Sequence, residues 1–531
     1  MALTPLNRAL NQVPRRAEKQ EIEVLHATFV NSGVADVLDV VDHQVLYGRR
    51  GTGKTHALSY LGSEVEARGD IALNIDLRTI GSPDGLLASD GAPATERATR
   101  LLIDLLGQLH NTILEKVLGD ETLLDDANFV ERADAVLSAI TTVQISGAVE
   151  SSTETEAKQL VKDESRLSAS LKDGTPGLSA SAGSGAQAED RTLRREKRTG
   201  TERFALNFTD IARALRELAS ALTSKRVWLL LDEWSSVPQD LQPYLAEFLL
   251  RCVLPLQRFT VKIAAIEQHA RFMIESDGRR VGIEIGADMG ANVNLDDFLV
   301  YEGSEDQSRA FFKGLFFQHL RSLGGESSTL RGLLNREDDI IRKAFTDRRA
   351  FDELVRAAEG VPRDALYIAG RAAMRAGDGL ISVPIVREAA RWWFQTDKSA
   401  PLAAEGREDA QELLGWIIER VIRGKKARAF LVNERQSRNP LLRTLFDARV
   451  LHIVRRGYSA QDDPGQRYEV WVIDYGAYVD LLQTQSAPEG ALPLETVEGT
   501  TEYADVDVPL QDLRAIRRAV LDLGELGVAE T

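Results

Sequence analysis

Residues 48–55 read GRRGTGKT, the spacing Gly-x-x-x-x-Gly-Lys-Thr. These residue types in this order suit one chemistry, the holding of a nucleoside triphosphate by its phosphates. Gly48, Gly51 and Gly53 allow backbone conformations that a side chain would forbid, so successive N–H groups can face the phosphates. The expected cradle is Gly48, Arg49, Arg50, Gly51, Thr52 and Gly53, continued by Lys54, Thr55 and His56 at a helix start. Lys54 is expected to reach the β- and γ-phosphates, and the Thr55 hydroxyl to ligate Mg²⁺. The plain alternative is a glycine-rich turn before an ordinary helix; the complete motif favours ATP and Mg²⁺ as ligands.

A second stretch, VWLLLDE at 227–233, reads as a strand buried on both faces of a parallel sheet. Its acidic pair emerges at the carboxyl end, where ligands of such sheets sit. Asp232 is expected to hold Mg²⁺ and Glu233 to orient and polarise the attacking water. VKIAAIEQ, 261–268, is expected to run beside it and to bring Glu267 and Gln268 near the γ-phosphate. Gln268 would hydrogen-bond the lytic water or the phosphate; an uninvolved strand end is the other reading. In GVPRDAL, 360–366, Val361-Pro362 ends one helix and Asp364 begins another. That puts Arg363 at a helix start, where its fork could bind phosphate oxygens or else form a surface ion pair.

These side chains need a scaffold. Val45-Leu46-Tyr47 reads as the strand before the phosphate loop, Thr55–Glu66 as the helix after it, and Asp70–Leu77 as a second strand. Helical periodicity recurs at Thr95–Leu118, Asp126–Thr142, Phe204–Thr223 and Asp240–Val253, with a strand at Phe259–Ile266. Residues 147–200 are rich in Ser, Gly, Ala, Thr and Glu and end in a basic tract, which reads as a partly disordered insertion. Residues 302–398 are dominated by helical patterns. Residues 486–508 are acidic and contain Pro and Gly. Leu510–Leu523 has an amphipathic spacing, with Gly524 placed to stop a helix.

From 408 to 485 the order is helix (Asp409–Ile422), strand (Ala427–Val432), helix (Pro440–Ala448) and a hairpin (Val450–Arg456, Arg467–Ile473). This order resembles a winged helix. It carries Arg420, Arg423, Lys425, Lys426, Arg428, Arg435, Arg438, Arg443, Arg455 and Arg456, an excess that suits phosphate contacts on duplex DNA. Asp462 and Asp463 at the hairpin tip, and Leu441, Leu442, Leu445 and Phe446 in the short helix, suit a protein-contact role instead.

In this order the four motifs resemble the AAA+ ATPases, over about residues 20–398. GRRGTGKT is similar to the family's first motif, LLLDE to its second, and GVPRDAL to the Gly-x-x-Arg of its helical lid. The winged-helix-like segment points within that family to the origin-recognition and replication-initiator branch. The resemblance implies a parallel sheet with helices on both faces, a nucleotide held between base and lid, ATPase activity, and a homo-oligomer with an arginine finger supplied in trans. Arg279, Arg280 and Arg251 are the candidates for that finger. Two departures bear on hydrolysis more than on binding: the sensor strand ends in Glu267-Gln268 rather than Asn, Ser or Thr, and the insertion is long.

The implied division is a base at 1–298, a lid at 299–398, a winged-helix-like α+β domain at 408–485, and an acidic arm with a terminal helix at 486–531. The function that follows is an ATP-dependent switch coupled to oligomer assembly and to DNA or a partner. The alternative is a signalling or assembly ATPase of a defence or transposition-control complex, acting through protein effectors without DNA.

Bulk properties set limits. The chain has 531 residues, a net charge of −16 and 43% apolar residues. That acidity argues against indiscriminate DNA coating. One cysteine, Cys252, excludes a disulfide framework and a Cys-based zinc site. The seven histidines lack metal-ligand spacing. With no eighteen-residue apolar run and no secretory h-region at the start, the expected compartment is the cytosol, without membrane contact.

Overall fold

The computed structural model describes residues 3–81, 93–118, 127–140, 143–151, 196–204, 206–221, 225–276, 278–290, 293–296, 305–323, 328–403, 407–424, 427–459, 465–482 and 519–526. The chain opens with three short helices, α1 (Pro5–Gln12), α2 (Ile22–Thr28) and α3 (Val34–Leu38). Strand β1 (Gln44–Tyr47) then leads through the phosphate loop into α4 (Lys54–Ala67) and β2 (Ile71–Asp76). Helices α5 (Ala94–Leu118) and α6 (Ala127–Ile140) precede a hairpin of β3 (Val143–Ser151) and β4 (Glu196–Phe204). Next come α7 (Phe208–Ala221), β5 (Val227–Asp232), α8 (Gln242–Cys252) and β6 (Phe259–Ala265). A second hairpin, β7 (Met273–Ser276) with β8 (Arg279–Gly282), is followed by β9 (Val293–Asn294).

Five strands form one sheet in the order β2-β5-β6-β1-β9, and every pairing in it is parallel. Alternate residues feed opposite faces. Val45, Leu73, Leu229, Leu231 and Ile263 enter a core beneath α5, α7 and α8, while Leu46, Ala72, Trp228, Leu230 and Ala264 meet α3 and α4. Two covered faces explain why β5 and β6 are buried along nearly their whole length and mostly apolar. This is the α/β architecture with helices on both faces that the motifs implied.

Lys262 interrupts that rule. It is fully buried in β6, yet its ammonium donates to Val40 O, Asp42 O and Gln44 Oε1. Three acceptors match its three donors. Burial still pushes its pKa down to about 7.

The stretch expected to form the lid holds α9 (Glu305–Leu323), α10 (Ser328–Leu333), α11 (Asp338–Ala344), α12 (Arg348–Ala357), α13 (Pro362–Ala376) and α14 (Val383–Trp393). Asp347 caps α12, its carboxylate accepting from Ala350 N at 2.9 Å. The C-terminal module holds α15 (Glu408–Ile417), β10 (Ala429–Asn433), α16 (Pro440–Asp447), β11 (Leu451–Ser459), β12 (Arg467–Ile473), α17 (Tyr475–Leu482) and β13 (Val520–Leu521). Its sheet runs β11-β12-β10-β13. The helix, strand, helix and hairpin thus follow the expected order.

Two expectations need correction. The first helix is not part of the base. Leu6, Leu10 and Val13 enter the same core as lid and C-terminal residues, and Asn7 Nδ2 donates to Gly377 O at 2.8 Å and Gly379 O at 3.0 Å. The helix's apolar stripe finds its complement on α13. Nor is Val520–Leu521 helical. It pairs in parallel with β10 through Leu431 and Val432, and a 3-10 turn at Leu523–Leu526 takes in Gly524. An open strand edge offers more backbone hydrogen bonds than a lone helix end. The rest of the proposed terminal helix, the acidic arm, residues 152–195 of the insertion, Lys425, Lys426, Asp462 and Asp463 lie outside the described residues.

Asn7 is 1% exposed, and replacing it removes two hydrogen bonds to the turn after α13, one of them wholly buried. Asn7→Ala is therefore expected to destabilise the protein by about 1–3 kcal/mol, measured by denaturant titration.

Candidate active site

Between β1 and α4 the backbone turns through left-handed conformations at Gly51 (φ 87°) and Gly53 (φ 98°), which only glycine adopts at low cost. Gly51 serves a second purpose. A Cβ there would lie 2.8 Å from Arg363 Nε, so the missing side chain is what lets the lid arginine approach the loop. The backbone joins the two as well, with Arg363 N donating to Gly51 O at 3.2 Å.

Lys54 is buried, and its ammonium donates to Gly48 O at 2.9 Å and Arg49 O at 3.0 Å. Burial lowers its pKa, opposed by the charges of Glu233, Asp232 and Asp296. Asp232 ends β5 in register with Asp76. Burial raises its carboxyl, while a hydrogen bond from the Thr55 side chain lowers it. Thr55 and Asp232 thus meet at the carboxyl edge of the sheet, beside Lys54. Two hard oxygen donors, with phosphate and water to complete an octahedron, suit Mg²⁺. Among the described residues there is no cluster of three His, Cys, Asp or Glu that could hold a metal.

Glu233 follows in a left-handed conformation (φ 57°), unusual for a residue with a side chain. Such positions cost about 1–3 kcal/mol and gather at functional sites. Its carboxylate lies 3.9 Å from Arg78 Nη1 and 3.4 Å from Ser236 Oγ. Arg78, Glu233, Ser236, Arg50, Gly51, Gly53, Lys54, Thr55, His56 and Arg363 line one cavity of about 350 Å³. Leu315 and His319 of α9 close it from the lid side. That size lies within the range of small-ligand sites.

Not every expected residue is there. Arg49 points away. Its N–H and Nε bond the Asp296 carboxylate at 3.2 and 2.7 Å, Nη2 donates to Glu359 O at 2.8 Å, and Nη1 donates to His452 Nδ1. It is 3% exposed and therefore a clasp, not a phosphate ligand. Gln268 is also absent from the cavity, and Ile266 stands at that strand end instead. The chain turns after Ile266, and Gln268 O accepts from Arg443 while Glu267 pairs with Arg456 at 2.7 Å. Gly48 is buried and does not line the cavity, its carbonyl accepting from Lys54. Thr52 spends its hydroxyl on Arg49 O at 2.9 Å and lines a smaller apolar recess with Phe29, Val30, Val34 and Leu315. His56 reaches the cavity, although its Nε2 donates to Leu25 O at 2.6 Å.

Several cavity residues escaped the sequence reading. Arg15, Arg16 and Glu18 come from the segment after α1, and Arg78 from just beyond β2. The one sequence signal was Arg15-Arg16 following Pro14, which has no motif to distinguish it from a solvated basic pair.

The Arg49 clasp continues inward. A guanidinium only donates, so His452 Nδ1 is bare and its proton sits on Nε2, facing Asp474 Oδ2 at 3.0 Å. Burial and the Arg49 charge hold that imidazole down to about 3. Asp474 also pairs with Lys398, Lys398 with Asp364 at 3.0 Å, and Asp364 with Arg449.

The basic residues of the C-terminal module do not form one face. Arg428 is buried against Glu359, Arg443 and Arg456 turn toward the base, and Arg455 lies over Tyr458. Arg420, Arg435 and Arg438 are exposed. Among the finger candidates, Arg279 and Arg280 lie on β8 rather than in a turn; Arg280 pairs with Glu284 at 3.0 Å and Arg251 with Glu247.

No protein-family model matches the chain, and no curated protein does. Solved structures align over most of its length at low identity. A Walker-type ATPase of Pyrococcus abyssi is 13% identical, with 88% of this chain and 99% of that one covered and a TM-score of 0.34. A RuvB variant of Thermotoga maritima is 11% identical, covering 88% and 94%, with a TM-score of 0.29. The ORC1 protein of Aeropyrum pernix, solved in complex with DNA, is 12% identical, covering 87% and 96%, with a TM-score of 0.30.

Removing one member of a buried charged pair costs about 3–5 kcal/mol, so Arg49→Ala is expected to destabilise the protein by that amount in chemical denaturation. His452 adds a pH signature. It stays neutral in the fold to about pH 3 but takes a proton in the unfolded chain below about 6.5. Stability should therefore fall as pH drops from 6.5 toward 3, by up to about 1.4 kcal/mol per unit. Denaturant titrations across that window check it, and His452→Gln should flatten the slope.

Proposed function

We propose that this chain is an AAA+ ATPase, a switch that binds ATP with Mg²⁺ between base and lid and hydrolyses it. The carrying observation is the convergence of Lys54, Thr55, Glu233 and Arg363 on one cavity, contributed by α4, the end of β5 and α13, with Asp232 hydrogen-bonded by the Thr55 side chain. Mg²⁺, held by Thr55 and Asp232, would neutralise charge on the β- and γ-phosphates. Lys54 would exchange its loop carbonyls for phosphate oxygens. Glu233 would orient the attacking water and take its proton as the new P–O bond forms and the bond to the β-phosphate oxygen breaks. ADP leaves with the bridging oxygen. Arg363 would fork onto the γ-phosphate and so report its presence to α13 and the lid.

The finer reading is an origin-recognition or replication-initiator type of protein with a winged-helix-like module at 408–485. It would work as a homo-oligomer, with Arg279 or Arg280 as the trans finger, and in the cytoplasm. DNA contact would rest on Arg420, Arg435 and Arg438, which are exposed. One observation favours the alternative signalling or assembly ATPase with a protein effector. Arg428, Arg443 and Arg456 are spent on contacts inside the chain, as a regulatory module's would be.

Lys54→Ala is expected to abolish binding of a fluorescent ATP analogue. Glu233→Gln should bind it normally yet lose about 10²–10⁴-fold in turnover; unchanged turnover removes Glu233 from its role. For DNA, the double variant Arg435→Glu with Arg438→Glu should weaken retardation of a duplex and flatten its salt dependence. Equal affinity and slope would decide for the protein-partner reading.

A further inference from the structure

A second cavity, of about 410 Å³, adjoins the nucleotide site and shares Arg16, Arg50 and Arg363 with it. It opens between the phosphate loop, the lid and the C-terminal module, and Arg407 lines it from just ahead of α15. These four guanidiniums have no carboxylate within 4.0 Å among the described residues. Arg449 adds a fifth, paired with Asp364 and Asp397. Among the described residues, the carboxylates on the wall are Asp397 and Asp447, and Asp447 is bonded to His269 at 2.6 Å. Five arginines against two acids, in a chain of net charge −16, mark a local field built for an anion.

The wall also limits which anion. Tyr367 stacks on Trp393 at 4.0 Å, and Arg15 lies over the Tyr367 ring at 4.6 Å. These rings are therefore occupied, which disfavours a nucleobase stacked on them. Forked cations suit a small oxyanion with several acceptor oxygens.

We propose that this cavity is a second anion site that takes inorganic phosphate beside the γ-phosphate position. It extends the reading of the neighbouring cavity as a nucleotide site. The phosphate would come either from the hydrolysed nucleotide, passed on through Arg50 and Arg363, or from solution.

The test uses the full chain and isothermal titration with inorganic phosphate, with fluorescent ATP-analogue binding measured in parallel. Lys54→Ala should keep a phosphate site. Arg407→Glu should weaken that site about tenfold or more, while leaving the ATP analogue bound and the circular dichroism spectrum unchanged. Phosphate binding lost in Lys54→Ala and unaffected in Arg407→Glu would overturn the proposal, as would no phosphate binding in any form. Phosphate binding retained with no binding of ATP analogue would instead sink the nucleotide reading and leave the anion site standing. Single-turnover experiments separate the sources. Release that overtakes its normal lag behind cleavage in Arg407→Glu assigns the site to product phosphate; unaltered release with weakened phosphate titration assigns it to phosphate from solution.

Discussion

A guanidinium withdrawn from water must be answered on every side, and Arg49 is answered by three parts of the chain at once. Asp296 lies at the edge of the base sheet, Glu359 O at the turn before α13, and His452 on β11. Each contact is separated from Arg49 by hundreds of residues. The phosphate loop therefore takes its shape from the lid and the C-terminal module as well as from its own glycines. Leaving out Asp296 would strand a buried charge, which costs more than the pair itself contributes.

The same logic runs onward through charged groups that have no access to water. Asp474, Lys398 and Asp364 carry the chain of pairs from His452 to the start of α13. Asp364 is the residue next to Arg363. Fixing Asp364 between Lys398 and Arg449 sets where the neighbouring guanidinium can go, which is over Gly51. A lid arginine thus reaches the loop because its neighbour is anchored to the C-terminal module. Glu353 strengthens that union, accepting from Arg387 Nε at 2.6 Å and from the Tyr475 hydroxyl. Lid and module share one apolar core, so they are joined by burial as well as by charge.

How far sequence reading reached depends on the range of the interaction. The strands at Val45–Tyr47 and Val227–Asp232 and the helix from Lys54 were legible because a buried parallel strand and a glycine loop are written in consecutive residues. Gln268 was placed in the cavity by extending β6 in a straight line. The chain turns after Ile266 instead, and no local pattern announces that turn. Arg443 and Arg456 read as part of a basic surface, because a sequence gives charge without direction. Val520–Leu521 read as helix because its apolar spacing was counted without knowing that β10 had a free edge.

What the sequence determined by itself is the glycine loop that leads into Lys54 and Thr55, the acidic pair Asp232-Glu233 at a strand end, and the parallel sheet that carries both. Those features follow from side-chain type, backbone freedom and the burial of short apolar runs, all of which act over a few residues. Only the tertiary structure decided that Arg49 is a clasp, that α1 belongs with the lid, and that Arg16, Arg50, Arg363 and Arg407 gather around one cavity. Those outcomes depend on which distant groups can satisfy a buried charge or cover an apolar stripe, and that is settled only when the whole chain has folded.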